Sequence, residues 1–74
     1  MSPSDYGPDP KKTREERLQQ LTELSETNRG FAIVKSLMHA ASGVPEGTEP
    51  LGWRGLTRDK FVLAILSVEY PDAA

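Results

Sequence analysis

Residues 56–71 read Leu56-Thr57-Arg58-Asp59-Lys60-Phe61-Val62-Leu63-Ala64-Ile65-Leu66-Ser67-Val68-Glu69-Tyr70-Pro71. The unbroken apolar run from Phe61 to Leu66 fits either a buried strand or a helix buried on more than one face. The residues in front of it decide for a helix. Thr57 can accept a hydrogen bond from the third helical N–H, and Asp59 puts negative charge where the helix dipole favours it. Leu56 and Phe61 stand at the two positions of a hydrophobic staple. Pro71 stops the element. A helix over about 57–70 is therefore expected.

Upstream lies a long connection, residues 43–56, with glycines at 43, 47, 52 and 55 and prolines at 45 and 50. Most connections in compact domains run about 4–6 residues, and longer ones tend to carry function or mobility. This one holds the only tryptophan, in Gly52-Trp53-Arg54-Gly55. Before it, Phe31, Val34, Met38 and Ala41 recur at helical spacing, with Ile33, Leu37 and Ala40 beside them. So wide an apolar arc marks the most buried helix, over about 29–42, with Gly43 just past its end where a left-handed residue belongs. Asn28 is its expected cap. Gly30 costs about 1 kcal/mol in a helix relative to Ala and marks a break candidate. One continuous helix kinked at Gly30 is the alternative.

The first helix is expected over about 13–26. Thr13-Arg14-Glu15-Glu16 has the form of a capping box. Leu18, Leu21 and Leu24 make a narrow stripe that cannot hold a helix alone and must dock. Residues 1–10, with Pro3, Gly7, Pro8 and Pro10, read as a disordered N-terminal arm that Tyr6 would anchor if it orders. The fold class is thus all-α: a small three-helix domain over 11–74, with the arm before it and a long Gly/Pro loop between helices 2 and 3.

Composition narrows the function classes. The chain has 74 residues, a formal net charge of −2, no cysteine and a single histidine. Sixteen residues are Leu, Ile, Val or Phe, about a fifth of the chain, which is enough for one modest core. No apolar run approaches the roughly 18–20 residues of a membrane span, and the N-terminus has no signal-peptide core, so a cytoplasmic protein is expected. Thiolate metal sites and Cys nucleophiles are excluded. His39 has Lys35, Ser36, Ser42 and Gly43 as its helical neighbours, none a usual partner ligand, so no metal and no cofactor is expected. Glu15 and Glu16 are adjacent on a helix and diverge by about 100°. Glu46 and Glu49 sit in a loop. Neither pair offers the rigid, tuned groups of acid–base catalysis, and no nucleophile elbow or phosphate loop is present, so the chain reads as a non-enzyme.

Two partner classes remain. Lys11, Lys12, Arg14 and Arg17 cluster at the start of the first helix and could contact nucleic-acid phosphates. Glu15 and Glu16 interrupt them, and the whole chain is acidic, so this stands as the alternative. Protein contact is the leading expectation, with a larger assembly or a second copy as partner. Trp53, Arg54 and Arg58 are of the types enriched at interface hot spots. The last helix carries more apolar surface than a three-helix domain covers, so Phe61, Val62, Ile65 and Leu66 are expected to share the contact unless the Trp loop folds back over them. The expected role is a non-enzymatic accessory subunit, adaptor or inhibitor. Its size, its lack of cysteine and its charged first helix suit a small bacterial or phage protein.

Overall fold

The computed structural model describes residues 6–72. Three α-helices follow one another, α1 (Arg14–Ser25), α2 (Asn28–Ser42) and α3 (Arg58–Glu69), and each packs on the other two. The loop before α3 holds one 3-10 turn, Leu51–Trp53.

A threonine starts each helix. Thr13 accepts from the Glu16 N–H and Glu16 returns a bond to the Thr13 N–H, completing the capping box. The Thr13 N–H that donates to the Glu16 carboxylate, together with the Thr13 hydroxyl beside it, holds the Glu16 carboxyl below its ordinary range. Thr57 caps α3 through the Lys60 N–H. For α2 the cap is Thr27 and not Asn28, and it accepts from the Gly30 N–H at 2.9 Å. At the other end of α2, Gly43 adopts φ 73°, the left-handed conformation that its place in the sequence requires.

Gly30 is no weak point. It lies in the first turn of a helix separate from α1, where the two backbones meet so closely that a Cβ would overlap the carbonyl of Leu24. Glycine permits this crossing, and its cost in helix propensity is offset by the contact. Arg58, at the start of α3, closes the same corner. Its guanidinium donates to the Ser25 carbonyl at 2.7 Å and to Asn28 Oδ1 at 2.9 Å, and it lies over the Phe31 ring at 4.8 Å. One side chain thus satisfies a terminal carbonyl of α1 and links all three helices.

The core consists of Leu21, Ile33, Val34, Leu37, Met38, Phe61, Val62, Ile65 and Leu66. Ala40, expected on the apolar arc of α2, is exposed. In α1 the central buried line is Arg17, Leu21 and Ser25, with Leu18 and Leu24 half-buried on either side. Arg17 is fully buried, and its Nε and Nη2 each donate to one oxygen of Glu69 at 2.8 Å, while Nη1 donates to Gln20 at 2.8 Å. This fork-on-fork geometry joins the first turns of α1 to the last residue of α3. One residue on, the Tyr70 hydroxyl donates to the Lys12 carbonyl at 2.9 Å.

Of the expected arm, residues 1–5 lie outside the described residues. From there on, Tyr6 is the contact expected where the arm orders. Tyr6 packs against the core, and Asp9 holds the Lys11 and Lys12 N–H groups at 2.9 and 3.1 Å.

Two outcomes follow for stability. Gly30→Ala, which raises intrinsic helix propensity, destabilises the protein by about 1–3 kcal/mol in urea unfolding because Leu24 must move. Removing one member of the buried pair, as in Arg17→Met or Glu69→Leu, costs about 3–5 kcal/mol. The double variant recovers most of that loss, and a double-mutant cycle measures the recovery.

Candidate functional site

Arg17 does not belong with the other basic residues. Its guanidinium is enclosed and bound to Glu69, so the expected phosphate-contacting group shrinks to Lys11, Lys12 and Arg14. Of these, Lys11 is exposed and the other two are half-buried.

The expected protein-contact residues divide in two. Phe61, Val62, Ile65 and Leu66 are at most 3% exposed and form the inward face of α3, so they offer no contact surface to a partner. Arg58 is taken up by the helix corner. Trp53 is half-buried and covers the core from outside. Its ring meets Phe61 edge-on with centroids 6.0 Å apart and His39 at 4.8 Å, while Phe31 meets Phe61 at 5.5 Å. His39 also donates through Nδ1 to the Val44 carbonyl at 3.2 Å, fixing the loop where it leaves α2. The surplus apolar surface of α3 is therefore covered largely from within the chain, by Trp53 and its aromatic neighbours.

Seating Trp53 has a geometric result. The Trp53, Arg54 and Leu56 N–H groups bond to the carbonyls of Pro50, Leu51 and Trp53, so the turn is internally braced. With the indole directed inward, Leu51 and Arg54 face solvent. Leu51 is 78% exposed, the most exposed large apolar side chain among the described residues. The Arg54 guanidinium has no hydrogen-bond or ion-pair partner among them. An ordered turn that displays one leucine and one cation loses little conformational freedom in any contact it makes.

Outside the turn, Leu63 and Val68 are 47% and 48% exposed. They do not form one patch. Five helical residues separate them by about 140° around the axis, and Lys60 and Ser67 lie between. Leu63 instead borders a shallow groove between α1 and α3, lined by Leu18, Thr22, Asp59 and Val62 as well.

Sequence reasoning missed Leu51 and this groove. The available signal for Leu51 was a lone leucine between Pro50 and Gly52, in a stretch with no helical partner to bury it. Nothing local marks the groove, which exists only once α1 and α3 are side by side.

Comparison of the chain with protein-family models, curated proteins and solved structures finds no match. No helix among the described residues is long and apolar enough to cross a membrane.

Trp53→Ala uncovers Phe61 and removes two aromatic edge contacts. Its expected effect is a loss of about 2–4 kcal/mol in folding stability, measured by thermal or urea unfolding. Arg54→Ala, at an exposed position, leaves stability within about 0.5 kcal/mol.

Proposed function

We propose that this chain is a non-enzymatic protein-binding module of the cytoplasm that acts as a small accessory subunit, adaptor or inhibitor. It docks through the Leu51–Arg54 turn. The three-helix body is the scaffold, and the inward residues of α3 serve stability. Contact buries Leu51 in an apolar recess of the partner, and Arg54 orients the complex through a carboxylate at the rim.

The supporting observation is the 78% exposure of Leu51 on a turn whose conformation is already fixed by Trp53 and by its own backbone bonds. A leucine exposed to this degree gains its burial energy only on contact, and the braced turn loses little freedom in making it. The basic residues before α1 support the nucleic-acid alternative less well, since Arg17 is withdrawn from them.

A photo-crosslinking side chain at position 51, compared with one at exposed Ala32 on α2, tests the reading in cells that make the protein. The expected result is a discrete protein adduct from position 51 and none from position 32. Equal labelling at both positions, or no adduct at 51, sets the docking role aside.

A further inference from the structure

The structure contains both a projecting element and a recess of matching chemistry, on different seams of the same molecule. The Leu51–Arg54 turn lies over the seam between α2 and α3, where Trp53 meets His39 and Phe61. The groove lies on the seam between α1 and α3. Its floor is Val62 and its walls are Leu18 and Leu63, both partly open to solvent. Asp59, one helical turn before Leu63, adds a carboxylate with no ion-pair partner among the described residues. The turn offers a leucine to fill such a groove and, three residues on, a guanidinium that also lacks a partner. Apolar group matches apolar group, and the two unpartnered charges are of opposite sign.

We propose that the groove is the receptor for the turn of a second copy of this chain. Leu51 of one molecule enters between Leu18 and Leu63 of the next, and Arg54 pairs with Asp59. This rests on the reading that the Leu51–Arg54 turn is a docking element, and it names the partner. Because element and receptor occupy different seams, the contact is head-to-tail. Such a contact propagates into short oligomers or closes into a ring, in contrast to a dimer in which one patch meets itself. The contact is far smaller than the roughly 800 Å² per partner of a stable interface, so the association is weak, with a dissociation constant of about 0.1–1 mM. It therefore responds to concentration, and a high local density of the chain drives it.

Sedimentation equilibrium of the full chain, from about 10 μM to 1 mM, tests the proposal. The wild type is expected to rise in mean mass with concentration. Leu51→Asp and Leu63→Asp are each expected to stay monomeric with unchanged helical circular dichroism. Leu63→Gln replaces the second variant if the aspartate lowers the melting temperature. The decisive sample is the mixture: Leu51→Asp keeps an intact groove and Leu63→Asp keeps an intact turn, so together they form a one-to-one complex and nothing larger. Arg54→Asp weakens self-association by about tenfold or more, and adding Asp59→Arg to the same chain restores it. A wild type that is monomeric at about 1 mM overturns the proposal, as does association that persists in Leu51→Asp or a charge reversal without rescue. The docking function itself fails separately. A crosslink from position 51 to a different protein, in a chain that remains monomeric, leaves that function standing and removes only self-recognition.

Discussion

The bond between Arg17 and Glu69 is the constraint that orients the rest of the molecule. It spans 52 residues of sequence and is the only ion pair among the described residues. A fully enclosed guanidinium without a counter-charge carries a heavy desolvation penalty, so Glu69 is what offsets the cost of burying Arg17 in this fold. Glu69 is also the last residue of α3, where the helix dipole disfavours a carboxylate, and the arginine removes that conflict. Because the fork fixes orientation as well as distance, it sets the register of α1 against α3. The Tyr70 bond to the Lys12 carbonyl reinforces the same closure.

The remaining features complete a frame that this pair orients. Gly30 lets α2 begin directly against the end of α1, and Arg58 fills the corner where all three helices meet. With α3 held on both sides, its third flank is left to the long loop, and Trp53 covers it. The loop has to travel far enough outward for the indole to return onto Phe61, and its apex carries Leu51 and Arg54 into solvent. The exposed turn is thus a by-product of covering the core, which explains how so small a domain displays an ordered apolar side chain.

Local chemistry was legible in the sequence wherever a short pattern decides the outcome. The capping box at Thr13–Glu16, the Thr57 cap and the left-handed Gly43 each depend on a few neighbouring residues, and each forms as its pattern implies. The three helices and their order were legible for the same reason. What escaped was tertiary. Arg17 reads as a surface cation, yet its direction falls between those of Leu21 and Leu24, about 20° from the latter, within the leucine stripe. A helical wheel therefore shows that it points inward, but only Glu69 makes the burial permissible. Gly30 reads as a helix breaker because the Leu24 carbonyl that requires it is six residues away and folded back. The apolar run of α3 suggested an external partner because the return of Trp53 onto Phe61 has no signature in composition or spacing.

The closure of α1 onto the end of α3 also orders events during synthesis. As the chain leaves the ribosome, Arg17 emerges early and must stay hydrated, because its carboxylate is made 52 residues later. Neither α1 alone nor α1 with α2 can bury that cation, so the nascent chain has no native-like stopping point before Glu69 clears the exit tunnel. The native packing of α1 therefore waits for the last residue of α3.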